Sequence, residues 1–463
     1  MPKKKTALTI EERLQQALVP AEEQPYEVPE NWVWVRLGEV VDVLNGDRGK
    51  NYPAKSTLSK EGIPFISAAN LCDNIVVEDD LLCMSEEQYS KLSAGKLMLN
   101  DIVLCIRGSL GKHGKFPFKK GAIASSLVIL RSKDRGRLTD GYVMQYLEVP
   151  LFYDEIKKYD NGTAQPNLAA KNLELFSFPL PPLSEQQRIV ERIEELFAKL
   201  DEAKERLQEV ADSFAVRKAA ILHKAFTGEL TQQWRCENGV SDESWEEKTI
   251  GDIAQVKGGK RIPKGMSLCF ENTGHPYIKA GNLKNGTVID ESMMYVSDEV
   301  LKYIKNYTVS AGDVYITNVG ACIGDCGIIP EKYDGANLTE NAVKLTDINC
   351  NNKFLHLFLA SEQTQSSIKE SIASATLGKL SIANIKKIIV FLPTLPEQHE
   401  IVRRIDDLLA RERSAQQAAE QALASIDLMK KSILARAFRG ELGTNKASEA
   451  SALELLRQVL AEN

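Results

Sequence analysis

Apolar residues recur at alternating steps of four and three positions between Ile189 and Ile221. These steps make a heptad with apolar a and d positions, the pattern of a coiled-coil seam. Ser184 and Gln187 predict a capping box at the start of the helix, and Gly228 stands where a glycine commonly ends one. An ordinary amphipathic surface helix is the alternative, but several heptads pass without glycine or proline. The seam positions are Ile189, Ile193, Leu196, Leu200, Ala203, Leu207, Val210, Phe214 and Ile221.

The same pattern returns 212 residues further along the chain. Glu412 breaks this second seam, and Met429 fills the position at which Arg217 interrupts the first. A constant separation without an insertion indicates that one structural unit occurs twice. The second seam consists of Ile401, Ile405, Leu408, Glu412, Ala415, Ala419, Ala422, Ile426, Met429 and Ile433. The flanking pairs are Leu180-Pro181 with Leu392-Pro393, Glu185-Gln186 with Glu397-Gln398, and Gly228-Glu229-Leu230 with Gly440-Glu441-Leu442.

The stretches that precede the two long helices combine short strand-like runs with helical ones, which predicts two similar α/β domains in an α+β chain. The strand-like runs are Ile63–Ser67, Asp101–Ile106 and Ile123–Leu130, and the further helices are Thr9–Leu18, Gly141–Tyr159, Phe354–Lys369 and Leu453–Leu460. The predicted order is an N-terminal helix and connector (1–24), a first domain (25–183), a helix (184–230), a polar linker (231–244), a second domain (245–395), a second long helix (396–442) and a tail (443–463).

The linker limits how the two long helices can pair. A parallel pair would require the chain to run from Gly228 to Trp245 along a helix of about 65 Å. Those roughly 17 residues span at most about 60 Å when fully extended. An antiparallel pair needs no such stretch, and Ala415, Ala419 and Ala422 allow the helices to approach closely. The sequence therefore predicts two similar domains at opposite ends of an antiparallel coiled coil, related by a pseudo-two-fold axis.

Composition and charge restrict the class of protein. The chain has 463 residues, enough for two or three domains, a formal net charge of −6 and eight cysteines without a CxxC pair. No apolar run approaches the length of a membrane span, and the N-terminal lysines are not followed by the apolar core of a signal peptide. We therefore expect a cytoplasmic protein with reduced, mostly buried cysteines and no metal site.

Two stretches of the chain are strongly basic, although the net charge of the whole chain is negative. Residues 107–137 hold nine lysines and arginines against one acid, and residues 257–264 hold four bases and no acid. Such clusters fit a phosphate backbone, although a solvated protein face would have the same composition. The predicted DNA-binding residues, all placed in loops, are Arg48, Lys50, Lys55, Arg107, Lys112, Lys115, Lys119, Lys260, Arg261, Lys264 and Asn318. Among them, the arginines are the candidates for base contacts, because a guanidinium can grip guanine bidentately.

The motifs of common enzymes are missing from the sequence. The glycine-rich run at 107–114 lacks the GxxxxGK[ST] spacing of a P-loop, and a tight turn explains its glycines equally well. His399 and Glu400 are not completed to HExxH, no GxSxG occurs, and the five histidines are scattered. Neither an adenine-methyltransferase motif nor a nuclease cluster is recognisable. We therefore expect no catalytic residue in this chain.

The starts and ends of the long helices carry the most specific signal. The starts read LPPLSEQQRIVERI at 180–193 and LPTLPEQHEIVRRI at 392–405, and the ends read ILHKAFTGEL at 221–230 and ILARAFRGEL at 433–442. A further motif, GTAQPNL, occupies 162–168, and the second domain departs from it with LGKLS at 377–381, which leaves the contact made there open. On these motifs the chain resembles, over nearly its whole length, the specificity subunit of type I restriction–modification systems.

That resemblance implies a function in DNA recognition. Each globular domain would be a target recognition domain that reads one half of a split DNA sequence, while the paired helices set the spacer and bind two modification (methyltransferase) subunits. Those subunits would bind S-adenosylmethionine and methylate adenine, and restriction subunits using ATP and magnesium would complete the nuclease. Two alternatives remain open. A coiled-coil adaptor without nucleic-acid function leaves the basic loops unexplained, and a fused modification–specificity enzyme needs a catalytic domain for which the chain has no room.

Overall fold

The computed structural model describes residues 9–160, 166–373 and 378–462. The chain divides into two compact units: unit 1 comprises Met1–Arg206 with Ala422–Asn463, and unit 2 comprises Leu207–Gln421. Residues 1–8 of the predicted N-terminal segment, residues 162–165 of the first motif and residue 377 of its counterpart lie outside the described residues.

The first half of the chain alternates short strands with short helices. The helices are α1 (Ile10–Ala17), α2 (Leu37–Val40), α3 (Glu86–Lys91), α4 (Asp140–Tyr146), α5 (Pro150–Tyr159) and α6 (Ala170–Glu174). The strands are β1 (Val33–Arg36), β2 (Val41–Asn45), β3 (Ile63–Ile66), β4 (Leu71–Cys72), β5 (Asn74–Val76), β6 (Leu82–Met84), β7 (Lys96–Met98), β8 (Ile102–Cys105), β9 (His113–Lys115), β10 (Lys120–Ile123), β11 (Leu127–Ser132) and β12 (Ser177–Leu180).

The rest of the chain repeats this alternation between the long helices. The helices are α7 (Leu183–Asp212), α8 (Phe214–Phe226), α9 (Gln232–Asn238), α10 (Ile250–Ile253), α11 (Asp298–Ile304), α12 (Asn352–Leu359), α13 (Glu362–Ala373), α14 (Ile382–Lys386), α15 (Leu395–Ala437) and α16 (Ala452–Glu462). The strands are β13 (Glu246–Thr249), β14 (Gln255–Gly258), β15 (Pro276–Ile278), β16 (Leu283–Lys284), β17 (Thr287–Val288), β18 (Met294–Tyr295), β19 (Val314–Thr317), β20 (Cys326–Ile328), β21 (Asn337–Leu338), β22 (Ala342–Thr346) and β23 (Ile389–Leu392).

The sheets of the two units follow the same order. Unit 1 has a six-stranded sheet, β2-β11-β8-β9-β5-β4, and a four-stranded sheet, β6-β3-β10-β7. Unit 2 repeats the first four strands of the one and the first three of the other as β14-β22-β19-β20 and β18-β15-β21. An antiparallel pair joins β1 to β12 in unit 1 and β13 to β23 in unit 2. The repeat in the sequence therefore corresponds to one architecture built twice.

Within unit 1, the segment of α7 and the segment of α15 run in opposite directions. Ile193 shares a buried core with Leu434, whereas further along α7 the Asp201 Oδ1 atom lies 2.5 Å from Lys430 Nζ. As the residue number increases along α7, the number of the neighbouring residue on α15 decreases, as an antiparallel pair requires. The terminal helices α1 and α16 pack onto the same core, which closes unit 1 with both ends of the chain.

Within unit 2, α8 and the first part of α15 are also antiparallel. Leu222 shares a core with Ile405, and Arg217 Nε donates a hydrogen bond to Glu412 Oε2 over 2.8 Å. Arg217 and Glu412 are the two polar breaks in the predicted seams. The antiparallel pairing places each break opposite the other, so two unfavourable seam residues become a half-buried ion pair.

The first long helix differs in detail from its prediction. It begins at Leu183, so Ser184 lies inside the first turn and does not cap it. It is interrupted at Ser213, whose hydroxyl donates to the carbonyl oxygen of Val210 over 2.6 Å. Such a local bond competes with helical hydrogen bonding. The interruption is small, because the backbone bonds of Ser213 to Glu209 and from Arg217 are kept.

The predicted seam is not buried along its whole length. Ile189, Phe214 and Ile401 are buried, whereas Val210 is 43 % exposed and Met429 is 50 % exposed. Ala415 is also exposed, contrary to its predicted place in the seam. An α-helix has 3.6 residues per turn and a heptad assumes 3.5, so the apolar stripe drifts around a helix that does not supercoil fully.

The predicted polar linker at 231–244 is a structured segment of unit 2. It contains α9, and its Arg235 side chain is buried beside the start of α15. Arg235 Nη1 lies 2.7 Å from Glu397 Oε1, and Thr231 Oγ1 and Trp245 Nε1 donate to the same carboxylate over 2.7 and 3.2 Å. The Glu397 side chain is fully buried, so these donors replace its water shell.

Unit 1 repeats this anchor with donors from a different part of the chain. The buried Glu185 carboxylate accepts hydrogen bonds from Trp32 Nε1 over 2.7 Å, Thr444 Oγ1 over 3.2 Å and Asn445 Nδ2 over 2.9 Å. Trp32 corresponds to Trp245, and the tail at 444–445 replaces the linker at 231–235. The predicted tail is therefore an integral part of unit 1.

The glutamine that follows each glutamate fastens the long helix to its domain. Gln186 Oε1 accepts a hydrogen bond from the backbone N–H of Thr139, which caps α4, over 3.0 Å. Gln398 Oε1 accepts one from the backbone N–H of Asn351, which caps α12, over 2.8 Å. The repeated Glu-Gln pair thus fixes both the terminal segment and the nearby helix of each unit. Past the other ends of the helices, Gly228 and Gly440 adopt φ of +81° and +74°, which favours glycine.

Three predicted elements are each split in the structure. Residues 123–130 belong to β10 and β11, which lie in different sheets, with a turn between them. The predicted helix at 141–159 is divided into α4 and α5, because Pro150 starts a new helix and cannot donate within the old one. The helix at 354–369 is divided by Ser361, whose hydroxyl donates to the carbonyl oxygen of Phe358 over 2.7 Å.

The cysteines are less buried than the sequence predicted. All eight are free thiols, and only Cys83, Cys105 and Cys326 are buried. Over the described ranges, no three histidine, cysteine or acidic side chains are grouped to hold a metal ion. None of the helices in those ranges is both long enough and apolar enough to cross a membrane.

Removing the Glu397 carboxylate tests the anchor of unit 2. Glu397→Ala leaves the buried Arg235 guanidinium without its main counter-charge, so the free energy of unfolding should fall by about 3–5 kcal/mol. Urea unfolding of the full chain measures this change. Glu420→Ala, which removes an exposed carboxylate from the same helix, is the control and should have little effect. Equal unfolding midpoints for the two variants would show that the anchor contributes nothing to stability.

Candidate nucleic-acid interface

Several loops of unit 1 meet at one edge of its six-stranded sheet. Asn45 ends β2 and pairs with Val128 of β11, while Cys105 ends β8 and pairs with Leu127. Because these neighbours are antiparallel, the loops at 46–50, 106–112 and 124–126 emerge on the same side. We call these three loops the loop edge of unit 1.

Four of the predicted DNA-binding residues, Arg48, Lys50, Arg107 and Lys112, lie on this loop edge with their side chains exposed. Arg48 Nη2 donates to the carbonyl oxygen of Ser125 over 3.4 Å, and Arg107 Nε donates to Asn167 Oδ1 over 3.0 Å. Lys112 Nζ donates to the carbonyl oxygen of Ala68 over 3.0 Å. Each of the three cations that donate these bonds thus rests on a neutral acceptor and keeps its full positive charge available to a phosphate or a base edge.

The backbone beneath Arg107 is held from two sides. The N–H of Ile106 donates to the carbonyl oxygen of Ser126 over 2.9 Å, and the Ile106 carbonyl accepts from the N–H of Leu168 over 2.9 Å. Arg107 itself forms an isolated antiparallel bridge with Asn167. A loop fixed in this way presents its side chains in a defined direction, as sequence reading requires.

Unit 2 builds the same backbone arrangement. The N–H of Asn318 donates to the carbonyl oxygen of Asn341 over 3.0 Å, and the Asn318 carbonyl accepts from the N–H of Leu380 over 3.0 Å. Asn318 therefore takes the place of Ile106. Its Oδ1 atom is buried and has no hydrogen-bond partner in the described part of the chain, so a contact of this side chain with DNA stays a prediction. We call residues 259–264, 318–320 and 339–341 the loop edge of unit 2.

One predicted cation of unit 2, Arg261, has a stronger protein partner than the exposed predicted cations of unit 1. Arg261 forms an ion pair with Glu340, where Arg48 has only the carbonyl oxygen of Ser125. Burial raises the pKa of the Glu340 carboxyl, but the hydrogen bonds it accepts and the charge of Arg261 together outweigh burial, so the pKa lies below its ordinary value. Lys260 Nζ lies 5.5 Å from the centre of the Tyr307 ring.

The remaining predicted lysines occupy different places. Lys50 lies in the first loop of the unit 1 edge, and Lys55 begins a short 3₁₀ turn at Lys55–Thr57; both are exposed. Lys264 is exposed in the segment after β14. Lys115 pairs with Ile102 at the start of β8, and Lys119 precedes β10, so both lie away from the loop edge. The structure does not bring Lys115 and Lys119 together with Arg107, although they are neighbours in sequence.

Three arginines of the basic stretch at 107–137 are committed to ion pairs. Arg131 and Arg135 contact the fully buried Asp101 carboxylate over 2.6 and 3.1 Å. Arg137 pairs with Asp134 and, over 2.7 Å, with Glu462 of α16. The hydrogen bond to Asp101 raises the pKa of Arg131. Acids of unit 1 therefore neutralise part of the local excess of positive charge in this stretch.

A family model described as the type I restriction modification DNA specificity domain matches this chain twice, at residues 29–212 and 242–422. The two matches cover most of the chain and each includes one loop edge. The chain belongs to this specificity family.

Relatives of this specificity chain match it from end to end. The EcoKI specificity subunit of Escherichia coli K12 is 24 % identical, with 94 % of this chain and 96 % of the relative covered. The EcoBI specificity subunit of Escherichia coli is 28 % identical, with 94 % and 93 % covered. The crystal structure of the HsdS subunit from Thermoanaerobacter tengcongensis has the same fold, with a TM-score of 0.65, 17 % identity and coverage of 90 % of this chain and 99 % of that one.

Sequence reasoning missed two residues that shape the loop edges of this specificity chain. Asn167 belongs to a motif noted in the sequence, but its contact with Arg107 depends on two segments 60 residues apart. Nothing in the sequence singles out Glu340, because it is one isolated acid among polar residues. Ser126 and Asn341 are equivalent because each accepts the backbone hydrogen bond from the matching residue, Ile106 or Asn318. They are 215 residues apart, so Glu340 is the counterpart of Ser125.

Replacing Arg107 tests whether the unit 1 loop edge reads DNA. Arg107→Ala in the assembled complex should relax the preference for one base position by about 1–3 kcal/mol, because a guanidinium that grips guanine is lost. Sequencing of the DNA selected from a randomised pool measures this preference in both halves of the target. Arg131→Ala, which removes an ion-paired arginine, should leave the preference unchanged. An unchanged selection with Arg107→Ala would exclude a base-reading function for this residue.

Proposed function

We propose that this chain recognises DNA sequence for a type I restriction–modification complex, with each unit reading one half of a bipartite target. The observation that carries the proposal is the repeated loop edge. Both units hold their loops with equivalent backbone hydrogen bonds, at Ile106 and at Asn318, on sheets of the same strand order. Membership of the specificity family supports the same function.

The two loop edges should read different sequences. The backbone is equivalent, but unit 1 presents Arg48 and Arg107 on neutral acceptors, whereas unit 2 presents Arg261 on the Glu340 carboxylate. Base edges are distinguished by their hydrogen-bond donors and acceptors, so a change of side chains on a common scaffold changes the preferred bases. A split target with unlike halves follows from this difference.

The paired helices would set the spacing between the half-sites and bind two modification subunits. Arg192 and Arg403 are exposed on these helices and are candidates for that contact. Arg188 and Arg404, which lie on the same helices, are engaged within the chain: Arg188 contacts Glu449 over 2.7 Å, and Arg404 donates to the carbonyl oxygen of Leu230 over 2.8 Å. Those two arginines therefore stabilise the fold of this chain.

The chemistry of the complex would belong to its other subunits. In this proposal, S-adenosylmethionine is bound by the modification subunits and ATP with magnesium by restriction subunits, while this chain contributes no catalytic group. The relatives are themselves specificity subunits, which supports that division. With a net charge of −6, this chain alone should bind DNA weakly, and its partners should supply much of the phosphate neutralisation. The cytoplasm, where DNA and these partners meet, would be its compartment.

A domain exchange tests the proposed function. The chain should be co-expressed with its modification subunit, and methylated adenines should be mapped over the host DNA by long-read sequencing. We expect one split motif with a fixed gap, and exchange of residues 25–183 for those of a relative should change one half of it. The other half serves as the internal control. An assembled complex that methylates no motif would instead favour a coiled-coil adaptor.

A further inference from the structure

The bridge beside Arg107 has a counterpart in unit 2 with a different distribution of charge. Leu168 donates its N–H to Ile106, and Leu380 donates its N–H to Asn318, so the segment before Leu380 corresponds to the segment before Leu168. Lys379 is therefore the counterpart of Asn167, and Val319 is the counterpart of Arg107. In unit 1 the cation lies on the first segment, and in unit 2 it lies on the second.

Lys379 directly precedes Leu380, which bonds to the loop edge of unit 2, and it differs electrostatically from Arg261 on that edge. Its side chain is exposed, and no carboxylate lies within ion-pair distance of it in the described ranges. Arg261, by contrast, is paired with Glu340. Lys379 thus carries a positive charge that the protein does not compensate, at the backbone position where unit 1 has Asn167, the direct partner of Arg107.

The chemistry of lysine indicates which part of DNA this group would contact. An ammonium is a compact charge with rotatable donors, whereas the planar guanidinium of arginine suits two-point contacts with guanine. A contact to one phosphate oxygen fits a flexible ammonium at the end of a loop.

We propose that Lys379 binds a backbone phosphate in the half-site read by unit 2, and so provides there the positive charge that Arg107 provides in unit 1. This inference rests on the proposed function in DNA recognition. It adds a DNA-binding residue outside the basic stretches of the sequence, in a segment that departs from the motif of unit 1. It also predicts that unit 2 holds its half-site more through phosphate contacts than unit 1 does.

Salt titration of DNA binding by the assembled complex tests the inference. Loss of one phosphate contact should reduce the slope of log K against log salt by about 0.9 and weaken binding several-fold, regardless of the bases present. Lys379→Ala should show both effects, with an unchanged methylation motif. Lys353→Ala is the control: that lysine pairs with Asp406 of α15 over 2.7 Å, so its loss should not alter the slope.

A rescue variant tests the proposed equivalence of the two segments. Lys379→Asn combined with Val319→Arg gives unit 2 the Arg–Asn arrangement of unit 1, and the slope should return toward that of the parent chain. An unchanged slope with Lys379→Ala, or a relaxed motif with no change in slope, would overturn the inference while leaving the proposed function intact. Failure of the parent complex to bind any DNA would overturn the proposed function itself.

Discussion

A buried carboxylate at the start of each long helix is the interaction on which the rest of this structure depends. Glu185 and Glu397 are both fully buried, and each is surrounded by three donors, one of them a tryptophan indole. The donors come from the first strand region of the unit and from a segment distant from the glutamate in sequence. One charged group thereby fixes helix, sheet and connecting chain together, and the tail and linker become structural elements.

The chain contains this anchored unit twice, and each copy carries one loop edge. The anchors and the loop backbone are equivalent in the two units, whereas the side chains on the loop edges differ in charge and partners. Stability and positioning are thus separated from recognition. The change from Ser125 in unit 1 to Glu340 in unit 2 alters the partner of the arginine on each loop edge, and so what that edge can bind, without altering the framework beneath it.

The sequence was sufficient to predict the elements that arise from a regular spacing of apolar residues and from the repetition of that spacing. The heptads and the repeat anticipated the long helices, and the short linker anticipated their antiparallel pairing, which explains why Arg217 meets Glu412. It could not predict contacts between distant segments. Lys115 is near Arg107 in sequence, yet strand direction takes it to the other end of β8, and Arg131 is neutralised by a buried Asp101. The burial of Arg235 in the linker could not be predicted either, because it depends on Glu397, 162 residues away.

Equilibrium binding of the assembled complex to a set of matched DNA duplexes tests the central claim that each unit reads one half of a split target. The set comprises the intact target, a target with either half scrambled, and a target whose gap is one base pair longer. The account predicts that each alteration weakens binding at least about tenfold relative to the intact target. Equal affinity for the duplex with a scrambled half and for the intact target would contradict the assignment of one half-site to each unit.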